Sequence, residues 1–294
     1  MEKKLGIVVG GGPAPGINGV IAAATIRARL DGVDVVGVVD GFSSLMSGGP
    51  ARTRELSIAD VSRLHFTGGS CLRTSRANPT KSDEGLDNVV AALRDLGVDK
   101  LVTIGGDDTA YSGMCVERRA GGALRVMHVP KTIDNDLDLP HGTCTFGYQT
   151  ARHHGVEIVR RLMEDALTTS RWYFVIAMGR NAGHLALGIG KAAAATLTLI
   201  PEEFPSPVRL KEIVDTLVGA VIKRLSYGRR EGVAVIAEGL VLGIKPEDLA
   251  ELEEVERDAH DNVRIAEVNI GEILKSQVQK RLKQFGLKTT IVAK

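Results

Sequence analysis

The sequence predicts an α/β fold: two doubly wound, mainly parallel-sheet domains with the active site in the cleft between them. Three observations predict it. Short β-branched runs alternate with helical-period segments almost from end to end, the pattern of strands joined by crossover helices that cover both sheet faces. With 294 residues the chain is too long for one average domain and comfortable for two. Four polar, glycine-bearing segments each follow a strand directly, which gathers them on the carboxyl edge where doubly wound sheets bind ligands. Pro, His and Gly cluster over 138–147, so the expected domains are 1–140 and 141–294.

The elements follow in order. The apolar run at 6–9 reads as a buried strand, 18–30 as a helix and 33–39 as the next strand. Ser57 stands as an N-cap with Asp60 three residues on, so a short helix is expected over 57–64. Leu86, Val89, Val90 and Leu93 share one face of an amphipathic helix over 84–96. A strand at 100–104, a helix at 109–119 and a strand at 125–129 come next. After a polar loop the pattern gives a helix at 150–166, a strand at 172–177, a helix at 183–194 and a strand at 196–200. Helices at 208–225 and 265–285 alternate with strands at 233–237 and 289–292. The acidic stretch 246–261 reads as a solvated helix face.

Composition narrows the function class. Lys+Arg number 37 against Asp+Glu 36, which argues against a general nucleic-acid binder. Cys71, Cys115 and Cys144 are odd in number and lack metal-site or CxxC spacing, so reduced thiols in a cytoplasmic protein are expected. The apolar run near the start is too short for a signal-peptide core, and no stretch approaches a membrane span.

Each loop suits phosphate chemistry, with a plainer alternative beside it. GGGPAPGIN (10–18) joins a strand to a helix, and its backbone N–H groups can cradle a phosphate; a tight turn without a ligand is the alternative. It lacks the Gly-Lys-Ser/Thr of a P-loop and misses the GxGxxG dinucleotide fingerprint. IGGDDTA (104–110) puts Asp107 and Asp108 at a strand end, where one carboxylate could hold Mg²⁺; Asp108 and Thr109 as helix caps are the alternative. PKTIDND (130–136) packs Lys131, Asp134 and Asp136 into one strand exit. Those types supply a cation for phosphate charge, a carboxylate to accept a hydroxyl proton and a metal ligand; a charged surface turn is the alternative. MGRNAGH (178–184) ends a strand with Arg180, a natural partner for a phosphate monoester. Arg171 stands at the start of that strand, so it should project at the opposite end and serve, if anything, a neighbouring subunit. Glu238 follows the strand at 233–237, where it could accept hydrogen bonds from sugar hydroxyls. Taken singly, Arg171 and Glu238 read more readily as structural residues.

Together GGGPAPGIN, GGSCLRTSR, IGGDDT, PKTIDND, FGYQTA, MGRNAGH and AEG resemble the phosphofructokinase family, in its motif order, over 10–294. The resemblance implies Mg²⁺-dependent phosphorylation of fructose 6-phosphate at its 1-hydroxyl. It implies Asp134 as proton acceptor and Asp107 as Mg²⁺ ligand, with Asp136 beside it as a second acidic candidate. Gly12, Arg76, Asp107, Thr109 and Lys131 fall on the donor side. Thr132, Met178, Gly179, Arg180 and Glu238 match sugar-phosphate contacts. Arg171 matches an arginine that reaches a neighbouring subunit's substrate, which implies a homodimer or homotetramer.

Two positions bear on the phosphoryl donor. ATP-using members commonly carry glycine at the position of Asp108 and often at that of Lys131, so this pair resembles the pyrophosphate-dependent branch. Asp108 would add bulk and charge where a nucleotide's α-phosphate must lie, and Lys131 supplies a compensating cation for a compact donor. Lys131, Asp108, Asp134 and Arg180 are thus the expected catalytic set. The alternatives are an ATP-dependent enzyme, a sedoheptulose 7-phosphate kinase and a non-catalytic sugar-phosphate-binding protein. Pyrophosphate-dependent members continue with a Gly-Tyr-x-x-Arg segment over the sugar phosphate, beyond the KTTIVAK at which this sequence ends.

Overall fold

A computed structural model of the chain describes residues 4–179, 182–250 and 268–294. The chain divides into two compact units, Met1–Ile133 with Leu137–Gly147, and Asp134–Asp136 with Tyr148–Lys294.

The first unit is built around a six-stranded sheet. In chain order it contains β1 (Lys4–Val9), α1 (Ile17–Leu30), β2 (Asp34–Val38), α2 (Phe42–Met46), β3 (Thr53–Glu55) and α3 (Ile58–Val61). Then come α4 (Asp83–Asp95), β4 (Val98–Gly105), α5 (Asp107–Arg119), β5 (Arg125–Thr132) and β6 (Phe146–Gly147). The spatial order is β3-β2-β1-β4-β5-β6, parallel except for the edge strand β3. Period-two alternation divides the sheet's side chains between two cores. Ile7, Val9, Val35 and Ile104 pack with Ile17 and Ile21 of α1. Val8, Val36, Val38 and Leu101 pack with Val89 and Leu93 of α4 and Val116 of α5. A capping box between Ser57 and Asp60 starts the short α3, as the sequence predicts.

The second unit contains α6 (Tyr148–Thr169), β7 (Trp172–Ala177), α7 (His184–Ala193), β8 (Leu197–Leu199), α8 (Leu210–Ser226) and β9 (Gly232–Ala237). The short α9 (Leu240–Gly243) and α10 (Pro246–Ala250) precede α11 (Ile270–Gln284) and β10 (Ile291–Ala293). Its sheet, β10-β7-β9-β8, is parallel throughout. Trp172, Phe174 and Ile236 pack against Leu217 and Val221 of α8 and Leu274 and Val278 of α11.

The acidic stretch departs from expectation. Residues 251–261 lie outside those described, but Asp248 within α10 is buried, not solvated. Its carboxylate accepts hydrogen bonds from Arg209 Nε at 2.9 Å and Leu210 N at 2.8 Å, so it caps the start of α8. Burial opposes its charge, but these hydrogen bonds and the charges of Arg209 and Lys245 prevail and hold its pKa below the usual carboxylate value. Among the described residues no helix is long and apolar enough to cross a membrane.

Candidate active site

In the first unit, parallel pairing places the ends of β1, β4 and β5 on one edge, with Val9 opposite Ile104 and Gly105 opposite Pro130. The glycine loop leaves β1 here. Gly10 N donates to Ile104 O and Gly11 N to Ser75 O, each at 2.9 Å. Thr74 Oγ1 donates to Gly11 O at 2.8 Å, so Ser75 and the exposed Arg76 are drawn to the loop. Asn18 secures that approach from below. It is 3 % exposed, donates from Nδ2 to Thr67 O and Gly68 O at 3.1 and 3.2 Å, and accepts from Cys71 N at 2.8 Å.

Thr109 is buried beneath the loop, and its packing explains two glycines. A Cβ on Gly10 would lie 2.4 Å from Thr109 Oγ1, and one on Gly105 would lie 2.3 Å from it. Asp107 and Asp108 occupy the first turn of α5, which begins two residues before the predicted start. Neither caps the helix through its side chain onto a later turn; Asp107 Oδ1 instead accepts from Asp108 N at 2.9 Å. Both carboxylates are exposed at a helix N-terminus, where backbone N–H groups and the dipole favour negative charge.

β5 runs three residues past its predicted end and carries Lys131 and Thr132 inside the strand. Lys131 is only 5 % exposed, and its Nζ donates to Gly12 O, which brings the PKTIDND cation onto the glycine loop. Thr145 Oγ1 donates to Thr132 O at 2.8 Å and braces the strand end. Gly12, Arg76, Asp107, Asp108, Thr109, Lys131 and Thr132 therefore share one edge of this unit.

The last three residues of PKTIDND, Asp134–Asp136, belong to the second unit. Asp134 is half-buried, Asn135 takes a left-handed φ of 54°, and Asp136 is exposed. Asparagine tolerates this conformation better than a branched residue, which lets the chain turn sharply between the two carboxylates. Met178 and Gly179 follow β7, and Glu238 follows β9. Glu238 N donates to Ala177 O and Gly239 N to Gly179 O, each at 2.9 Å, so these residues lie together at the carboxyl edge of the second sheet. Gly179 has φ 131°, and a Cβ there would meet Ala182 O at 2.6 Å. Arg180 lies outside the described residues.

Arg171 stands apart, at the opposite end of β7, one strand length of about 20 Å from Met178. Its Nε is buried and has no hydrogen-bond partner among the described residues. Beside Ser170 at that end opens a cavity of about 750 Å³ lined also by Arg230, Lys283, Lys288 and Thr289.

No three metal-binding side chains converge among the described residues. Mg²⁺ does not require them: it binds through one or two carboxylates, substrate phosphates and water. The exposed Asp107 beside the glycine loop fits that mode. Asn18, Thr74, His184 and Glu202 were not singled out from sequence. Asn18 and His184 lie inside GGGPAPGIN and MGRNAGH, but what they touch is set by contacts 49 to 53 residues away.

The phosphofructokinase family model matches residues 4–293. The chain belongs to the phosphofructokinase family. Its relatives include proteins named pyrophosphate–fructose 6-phosphate 1-phosphotransferase. That of Thermotoga maritima is 53% identical over 294 residues, covering 99% of this chain and 70% of its own. That of Naegleria fowleri is 48% identical over 300 residues, covering 99% of this chain and 69% of its own. Among solved structures, Pichia pastoris phosphofructokinase aligns with a TM-score of 0.77 at 25% identity, over 100% of this chain and 29% of that one. The two sheets and their edge loops are thus a phosphofructokinase fold, in a chain that spans less than a third of the yeast protein's length.

Proposed function

We propose that this phosphofructokinase-family chain transfers a phosphoryl group from pyrophosphate to the 1-hydroxyl of fructose 6-phosphate, releasing phosphate and fructose 1,6-bisphosphate, a reversible glycolytic step. The observation that carries the donor choice is the pairing of Lys131 with Asp108 on one sheet edge. Lys131 is nearly buried with its ammonium on Gly12 O, while Asp108 stands exposed in the first turn of α5. A buried ammonium over a glycine loop suits a compact, highly charged donor. A carboxylate in the first helical turn repels an additional phosphate of a nucleotide. The printed names of the relatives at 53% and 48% identity support the same donor and acceptor.

In this reading Asp134 accepts the proton of the 1-hydroxyl as its oxygen bonds to the nearer phosphorus, and the bridging P–O bond breaks to release phosphate. Lys131 and Arg180 offset charge on the transferring group, a preorganised stabilisation that is strongest where water is excluded. Gly12, Arg76 and Thr109 hold the donor. Thr132, Met178, Gly179 and Glu238 hold the sugar phosphate. Asp107, with Asp136 as the other acidic candidate, would hold Mg²⁺, which would supply neutralisation of phosphate charge. Arg171, with the cations around the neighbouring cavity, suits the phosphate of a second subunit's substrate, so the active form is a homodimer or homotetramer. The free thiols Cys71, Cys115 and Cys144 suit the cytoplasm. Steady-state turnover of fructose 6-phosphate with pyrophosphate and with ATP tests the reading; turnover with ATP alone refutes the donor.

A further inference from the structure

The turn that carries Asp134 is tied to a helix by one side chain outside the set above. The Asn135 carbonyl accepts a hydrogen bond from His184 Nδ1 at 2.7 Å, across 49 residues of sequence. A carbonyl oxygen has no proton to give, so Nδ1 carries the hydrogen. His184 is the first residue of α7, and that helix start is itself anchored. Gly183 N donates to Glu202 Oε1 at 2.7 Å, Tyr148 Oη donates to His184 O at 3.2 Å, and Leu185 and Ala186 are buried. The histidine thus projects from a held helix start onto residues that belong to no helix or strand. Asp134–Asp136 and α7 lie in the same compact unit, so the bond is internal to it.

We infer that His184 is a positioning residue for phosphoryl transfer, holding through the Asn135 carbonyl the turn that presents the Asp134 carboxylate. The inference rests on Asp134 acting as the base in the reading above. A general base must sit within hydrogen-bond reach of its proton, and small misplacements of such groups cost large factors in rate. Because the bond persists with His184 as the Nδ1–H tautomer or as the imidazolium, it survives protonation and fails only when Nδ1 has no hydrogen.

Two substitutions separate this role from a packing role. His184→Ala removes the donor, whereas His184→Asn keeps an N–H near the position of Nδ1. In the full chain, His184→Ala is expected to lower kcat about five- to tenfold, the scale of one lost hydrogen bond. Both KM values should stay within about twofold, and His184→Asn should restore most of kcat. Amide hydrogen exchange over residues 133–137 should accelerate in the alanine variant and return towards wild type in the asparagine variant. Wild-type kcat in His184→Ala, a loss confined to KM, or unchanged exchange at the turn overturns the inference. Failure of the wild type to use pyrophosphate refutes the functional reading instead, and the exchange comparison still decides whether His184 holds the turn.

Discussion

Asparagine at position 108 removes a charge with almost no change in volume, and glycine removes both. Among the described residues the Asp108 carboxylate has no hydrogen-bond or ion-pair partner, so neither substitution breaks a side-chain contact. The structural cost is confined to α5: about 0.3–1 kcal/mol for a lost first-turn acid, and about 0.5–1 kcal/mol more for glycine. The functional effect is larger. Two unit charges about 4 Å apart repel by about 1 kcal/mol in water and about 4 kcal/mol at an effective dielectric near 20. Asp108 is exposed, so the value for a nucleotide's extra phosphate falls between these limits, or about fivefold to about a thousandfold in kcat/KM. Steady-state kinetics with both donors at saturating fructose 6-phosphate should show the pyrophosphate-to-ATP ratio of kcat/KM falling in both variants. A fall in glycine alone assigns the discrimination to bulk; an equal fall in both assigns it to charge. A ratio unchanged within about twofold in both variants refutes the role given to Asp108.

Two further outcomes follow from the same structure. Asp134→Ser should lower kcat about 10²- to 10⁴-fold with the far-ultraviolet circular dichroism unchanged, and near-normal kcat removes Asp134 from the base role. His128 concerns stability: burial pushes its pKa below the ordinary value of 6.5, and its Nε2 is buried with no hydrogen-bond partner among the described residues. Its stabilising contribution is therefore complete above the unfolded value near pH 6.5 and lost as pH falls through the lower folded value. His128 Nδ1 lies 2.9 Å from Thr103 Oγ1, a contact that an asparagine amide can replace without taking up a proton. Between pH 7.5 and pH 5 the wild-type Tm should fall further than that of His128→Asn. Equal falls contradict the assignment.

The alternation of strands and helices was legible because parallel strands buried on both faces read as unbroken apolar runs, as Ile7, Val8 and Val9 show. The edge strand β3 was not, since its three residues are all exposed and carry no period. The common edge of GGGPAPGIN, IGGDDT and Lys131 could be inferred because every loop that follows a parallel strand emerges on the same side. Asp248 was misread as solvated because its partners, Arg209 and Leu210, lie 38 to 39 residues earlier and nothing local marks the cap. His184 shows the same limit, for its acceptor is a backbone carbonyl that no residue type reveals. In IGGDDT one acid could be read as a Mg²⁺ ligand, or Asp108 and Thr109 as helix caps. The structure makes Gly106 the N-cap with no side-chain cap, puts Asp107 and Asp108 in the first turn of α5 and leaves both carboxylates exposed.

The claim that matters most is that phosphate passes from pyrophosphate to the sugar. The most direct test incubates the purified chain with ³²P-labelled pyrophosphate, Mg²⁺ and fructose 6-phosphate and separates the products. The account predicts labelled fructose 1,6-bisphosphate and labelled phosphate in equal amounts, both abolished by Asp134→Ser. Label remaining in pyrophosphate, while γ-labelled ATP supports bisphosphate formation, would contradict it.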